Sequence, residues 1–178
     1  GGDECPKDRW RRCPLCQERI RKEGLRDEYE LQSYFIKRIE KFINSKGRKI
    51  IGWDEILEGG LAQNATVMNW RDTTEGVKAV KQGHDVIMSP NAYLYFDYIQ
   101  GDRKQEPLAI GWGFNPAERV YAYEPVPEGI SPDAEKHIIG VESPLWTEHM
   151  DTYRKVEYML FPRLMALAEL AWTPKERT

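Results

Sequence analysis

Short apolar runs alternate with helical stretches along this chain, and that alternation constrains the fold more than any other feature. Lys49-Ile50-Ile51-Gly52-Trp53, Ala65-Thr66-Val67-Met68-Asn69-Trp70, Asp85-Val86-Ile87-Met88-Ser89 and His137-Ile138-Ile139-Gly140-Val141-Glu142 read as short buried strands. Their near-continuous apolar character suits strands covered on both faces. Between them, Glu28 to Lys46 carries Leu31, Tyr34, Phe35, Ile39, Phe42 and Ile43 at helical spacing, with Gly47 as the expected terminator. A second helix is predicted from Glu75 to Gln82, capped by Thr73 or Thr74 and closed by Gly83. A long third one is predicted from Thr152 to Ala171, kinked or broken at Pro162. Strands alternating with helices imply βαβ units and a parallel sheet.

The candidate functional residues fall at, or just after, the C-terminal ends of these strands. A (β/α)8 barrel keeps its active site on that face. Four strands, plus the tail of another at Gly1–Glu4, make roughly half a barrel, since a complete one takes about 250 residues. The fold class is therefore α/β, a (β/α)8 TIM barrel. Residues 1–178 are expected to supply roughly its second half, from the end of strand 4 to helix 8. The stretch from Asn91 to Lys136 is long and rich in proline and glycine, and reads as a functional or partly disordered loop.

Charge and composition narrow the partners. The formal net charge is −3 and the pI about 5.7, with no basic stripe to hold nucleic acid or an anionic membrane. No apolar run reaches the ~18 residues of a membrane span. Cys5, Cys13 and Cys16 all lie near the N-terminus, and Cys13-Pro14-Leu15-Cys16 is a CxxC unit. Zinc usually takes a second such pair, and a redox CxxC usually opens a helix after a strand. The three cysteines are read as a local loop staple or plain thiols. His84, His137 and His149 show no metal spacing, so neither metal nor cofactor is expected.

Chemistry concentrates in an acidic pair and a set of isolated tryptophans. Gly1-Gly2-Asp3-Glu4 supplies the carboxylates, and Trp53, Trp70, Trp112 and Trp146 supply flat faces of the kind that hold sugar rings. Asp54-Glu55 is a rival pair. If Trp53 faces the pocket, strand alternation turns Asp54 away, so Asp54 is read as supporting the site and Glu55 as structural. An ordinary retaining glycosidase separates its acid/base and nucleophile by about 5–5.5 Å, and adjacent residues with diverging side chains suit that layout poorly.

Gly-Gly-Asp-Glu, Gly52-Trp53-Asp54-Glu55, Val67-Met68-Asn69-Trp70-Arg71, Tyr95-Phe96-Asp97 and Trp146-Thr147-Glu148 follow one another in that order. In order and spacing this resembles glycoside hydrolase family 20, the β-N-acetylhexosaminidases, over nearly the whole chain. The resemblance implies a barrel preceded by further strands and another domain. It also implies substrate-assisted cleavage, in which the substrate's own acetamido oxygen replaces a protein nucleophile. Glu4 then matches the general acid/base, and Asp3 the residue that orients the acetamido group. Trp53, Trp70 and Trp146 match three pocket tryptophans, and Tyr95 the tyrosine that holds the acetamido oxygen. Asp97 and Glu148 match acceptors of sugar hydroxyls, and Trp112 a further tryptophan beside the sugar.

The family's arginine and Asp/His pair match nothing in this chain. The implied ligands are β-N-acetylhexosaminide glycans, the implied location is periplasmic, outer-surface or secreted in a bacterium, and exposed half-barrel edges imply self-association. Two other readings stand beside this one, a lacto-N-biosidase-like relative and a non-catalytic sugar-binding or assembly fragment.

Overall fold

The computed structural model describes residues 4–173. Its central sheet holds four parallel strands, β1 (Ile51–Trp53), β2 (Thr66–Asn69), β3 (Val86–Met88) and β6 (Ile138–Val141), in the order β1-β2-β3-β6. A parallel pair, β4 (Tyr98–Ile99) and β5 (Ile110–Phe114), forms a second small sheet. The four strands are those the apolar runs predict, and their parallel order is that of consecutive βαβ units in part of a TIM barrel.

The register follows from the sequence pattern. Val67 pairs with Gly52 on one side and Val86 on the other. Both valines are fully buried beneath α4 (Thr73–Lys81), which covers them with Ala79 and Val80. Asp72 caps α4 by accepting from the Thr74 N–H, so the cap lies one residue before the expected threonine. The C-terminal helical stretch is broken where Pro162 falls, giving α8 (Tyr153–Leu160) and α9 (Arg163–Trp172). Proline supplies no N–H and clashes with the preceding turn, which accounts for the break.

Three findings refine these expectations. The first concerns residues 7–23, which form two helices, α1 (Lys7–Arg12) and α2 (Pro14–Glu23), and not a loop. The three cysteines are free thiols, the second of the two readings, and no staple joins them. Second, the stretch from Asn91 to Lys136 is not one long loop but a series of short elements joined by turns. It holds α5 (Asn91–Leu94), β4, β5, α6 (Ala117–Tyr121) and α7 (Pro132–Glu135). Gly113 makes the β4–β5 pairing feasible, because any Cβ there would lie 2.1 Å from the Tyr98 ring.

The third finding concerns α3 (Glu28–Asn44), which forms as predicted while much of its apolar stripe stays exposed. Its buried residues are Glu28, Gln32, Ser33 and Glu40, while Phe35 is 57% and Phe42 62% exposed. Polar anchoring explains the orientation. The Ser33 hydroxyl donates to the Gly60 carbonyl, and Glu40 accepts from the Asn64 N–H at 2.7 Å. These bonds hold α3 to the β1–β2 connection by its polar face. Phe35, Ile39 and Phe42 form an exposed stripe, with only the Lys46 ammonium over the Phe42 ring, 5.6 Å from its centroid.

Candidate active site

The aromatic candidates converge above the C-terminal ends of the strands. Trp53 ends β1, Trp70 follows β2, Tyr95 follows α5 after β3, and Trp146 lies beyond β6. The Trp53 and Trp146 ring centroids are 6.0 Å apart, tilted at 47°. Trp146 lies close to the Tyr95 hydroxyl, and its indole N–H acts to lower the Tyr95 pKa against the effect of burial. On its other side Tyr95 stacks with Trp70 at 6.3 Å. Trp112, 70% exposed on β5, joins through Tyr98, whose ring meets it edge-on at 4.9 Å and lies 5.7 Å from Tyr95. One continuous group of rings thus unites four loops. These rings stand apart from the core beneath the strands, which Val67, Val86, Met88 and Phe96 fill.

Carboxylates fix this group from below. Asp54, fully buried in the 3-10 turn after β1, accepts from Asn69 Nδ2 at 2.8 Å, from the Trp70 N–H at 3.0 Å and from the Arg71 N–H at 3.2 Å. Arg71 Nε donates to its other oxygen. A charged acceptor with several donors holds the end of β2 in one position. Glu55 accepts from the Trp70 indole N–H at 2.8 Å, which sets the rotation of that ring. Burial raises the Glu55 carboxyl above its ordinary range. The rival acidic pair therefore builds the Trp70 wall, in keeping with the reading of Asp54, and Glu55 has a more specific task than general structure.

An ion-pair chain runs outward from the same place. Arg71 Nη1 reaches Glu58 Oε1 at 3.0 Å, and Lys7 Nζ reaches Glu58 Oε2 at 3.2 Å. Lys7 opens α1, three residues beyond Glu4, so this chain ties the segment bearing Glu4 to the same end of the sheet. Glu4 itself is exposed in the turn before α1. Asp3 lies outside the described residues.

Asp97 is 4% exposed, and its Oδ1 has no hydrogen-bond partner among the described residues. Burial pushes its carboxyl up to about 6, with the negative charge of Glu148 adding to the rise and Arg163 opposing it. Glu148 is exposed on the loop after β6. Two carboxylates near enough for the charge of one to act on the other suit hydroxyl groups as acceptors. Tyr95 is likewise held well above its ordinary value by burial, so its hydroxyl keeps a proton to donate.

Arg163 is a residue that sequence reasoning missed. It opens α9 and is fully buried. Its guanidinium donates to the carbonyls of Phe96 at 2.6 Å, Tyr98 at 2.9 Å and Asn115 at 3.1 Å, and to Met159. Two of those carbonyls flank Asp97 in the chain. Burial lowers Arg163 to about 10, while the charges of Glu106 and Asp97 act to raise it. Asn115 completes the clamp, donating to the carbonyls of Tyr93 at 2.6 Å and Tyr95 at 3.3 Å. An arginine in the middle of an apolar helical run was the one available signal.

The described residues contain no helix long and apolar enough to cross a membrane, and no group of three His, Cys, Asp or Glu placed to hold a metal ion. Residues 1–175 match the model of glycosyl hydrolase family 20, catalytic domain. The chain is 54% identical over 175 residues to a β-hexosaminidase of Porphyromonas gingivalis, covering 98% of this chain and 22% of that protein. It is 36% identical to a β-hexosaminidase of Vibrio furnissii, over 94% of this chain and 28% of that one. Its structure matches a Vibrio harveyi family 20 exo-β-N-acetylglucosaminidase in complex with N-acetylglucosamine, with a TM-score of 0.90 and 32% identity, covering 100% of this chain and 28% of that one. The chain thus spans between a fifth and a third of these relatives. With the ring cluster, the parallel strands and these likenesses in agreement, the chain belongs to glycosyl hydrolase family 20 and carries part of its catalytic domain.

Proposed function

We propose that the protein carrying this chain is a retaining exo-β-N-acetylhexosaminidase, which removes terminal GlcNAc or GalNAc from glycans by substrate-assisted catalysis. The observation that carries this reading is the ring group of Trp53, Trp70, Tyr95 and Trp146 with Asp97 beside it. Three indoles suit the acetamido methyl, which needs an apolar enclosure. The protonated Tyr95 hydroxyl suits the acetamido oxygen as a donor. Asp97 and Glu148 suit the ring hydroxyls as acceptors, and charged acceptors read hydroxyl stereochemistry by direction.

In this mechanism Glu4 gives its proton to the leaving oxygen as the acetamido oxygen attacks the anomeric carbon. The glycosidic bond breaks and an oxazolinium ion forms. Asp3 accepts the acetamido N–H and stabilises the positive charge that develops there. Glu4, now ionised, takes a proton from water, and the water attacks the same carbon from the vacated side. Two inversions give net retention. A periplasmic, outer-surface or secreted setting and self-association through sheet edges belong to the same proposal.

The test uses the full-length protein with GlcNAc glycosides of good and poor leaving groups. Glu4→Gln is expected to remove most turnover on poor leaving groups and to spare activated ones, since an already stable leaving anion needs little protonation. Equal losses on both would overturn the assignment of Glu4. A thiazoline analogue of the oxazolinium ion is expected to inhibit strongly; binding no tighter than free GlcNAc would overturn substrate assistance.

A further inference from the structure

Cys13 and Cys16 have no part in the glycosidase reading, and their setting is specific. Cys13 is the residue before α2, with extended backbone (φ −86°, ψ 117°), and Pro14 occupies the first helical position. Cys16 sits in the first turn of this ten-residue helix, whose first turn carries no acidic residue. The positive end of the helix dipole is therefore unopposed at Cys13. This CxxC opens a helix, as a redox CxxC usually does, but it follows the helix α1 and not a strand.

Cys13 stands at the start of the helix and Cys16 in its first turn, so the two side chains share one turn. Cys13 closes no side-chain cap, but the nearby Cys16 N–H and thiol lower its pKa, with the Leu15 N–H and the charge of Arg9 adding to the effect. The neighbouring Cys13 raises Cys16. Both are free and only half-buried, so small reagents can reach them. The pair thus divides into a low-pKa nucleophile at the helix start and a protonated partner one turn on, a division that thiol–disulfide exchange uses.

We propose that Cys13 and Cys16 form a redox-active dithiol that exchanges reversibly with small-molecule disulfides and thiols. In the oxidising direction the Cys13 thiolate attacks one sulfur of a disulfide RSSR. A mixed disulfide forms at Cys13, and one RS⁻ leaves and is protonated. Cys16 then loses its proton and attacks the Cys13 sulfur. The Cys13–Cys16 bond forms and the second RS⁻ leaves. The chain loses two electrons and two protons, and RSSR becomes two RSH.

Glutathione is the probe, used on the full-length protein, with acid quenching, alkylation and peptide mass mapping. Oxidised glutathione is expected to convert the peptide containing both cysteines to a form two hydrogens lighter, and reduced glutathione to restore it. Cys16→Ser should accumulate a glutathione adduct at Cys13. Cys13→Ser should form an adduct at Cys16 at least tenfold more slowly. Both thiols remaining open to alkylation after oxidised glutathione would overturn the proposal. So would a bond that reduced glutathione does not reopen, or equal adduct rates in the two serine variants.

Discussion

At the scale of single residues, Asp97 is where burial and function oppose each other. A buried carboxyl resists ionisation, yet a hydroxyl acceptor works best when ionised. With the Asp97 carboxyl near 6, kcat/KM of the full-length enzyme is expected to fall as pH drops through that value. Asp97→Asn should lower kcat/KM at pH 7 by about tenfold or more, the loss of a charged hydrogen bond worth ~1.5–3 kcal/mol. It should also abolish that acidic limb, and a pH–rate profile of both proteins checks the pair of outcomes.

The stability effect has the opposite sign to that of an ion-paired carboxylate. Because the folded value is raised, the folded state holds this proton more firmly than the unfolded one. The contribution of Asp97 is thus most favourable below the ordinary carboxylate range and is lost as pH rises through about 6. Asp97→Asn should therefore melt no lower than wild type at pH 7. Trp70 offers a companion test. Glu55→Ala leaves its indole N–H without the acceptor it now uses, and should weaken GlcNAc affinity by about five- to tenfold, ~1 kcal/mol, in a calorimetric titration.

Single residues also show what the sequence reveals and what it hides. Trp53, Trp70 and Trp146 were legible because each ends or follows an apolar run, and the ends of parallel strands collect on one face. Arg163 was hidden because a lone arginine in a helix usually faces solvent, and nothing local says that its partners lie 48 to 67 residues earlier.

Among elements, the 3-10 turn after β1 has the largest mechanical role. Through Asp54 it holds Asn69, Trp70 and Arg71 together. Asp54→Ala takes from the half-buried Arg71 its shortest ion pair and leaves two backbone N–H groups without an acceptor. It should cost ~2–4 kcal/mol of stability in urea unfolding. Long strands and helices were legible from periodicity because their patterns repeat. The two-residue strand β4 offers no period to read, and proline and glycine made its surroundings look like loop. For α3, periodicity located the apolar stripe correctly but could not say which face packs inward. That is decided by Ser33 and Glu40 bonding to a connection more than twenty residues away in sequence.

The whole molecule presents unfinished surfaces. Within the four-stranded sheet, β1 and β6 each have a neighbour on one side only, and Ile51 and Ile139 on those strands are both 55% exposed. Unpaired strand edges and uncovered apolar stripes promote association. The 178-residue chain alone is therefore expected to sediment as dimers or larger species, and to hydrolyse a chromogenic GlcNAc glycoside far more slowly than the full-length protein. A stable monomer with undiminished turnover would contradict this. The barrel class was legible at this scale because four strand signals share one spacing logic.

The clamp made by Arg163 also sets an order of events during synthesis. Asp97 leaves the ribosome some sixty residues ahead of the side chain that grips the carbonyls on either side of it. Until α9 has emerged and docked, those carbonyls lack their principal donor, and the loop bearing Asp97 is held only by the Asn115 contacts and the Phe96–Pro144 backbone bond. This buried carboxylate is thus made early and clamped late. A chain cut short just before Arg163 would contain every aromatic residue of the cluster and still lack the donor that holds the carbonyls on either side of Asp97.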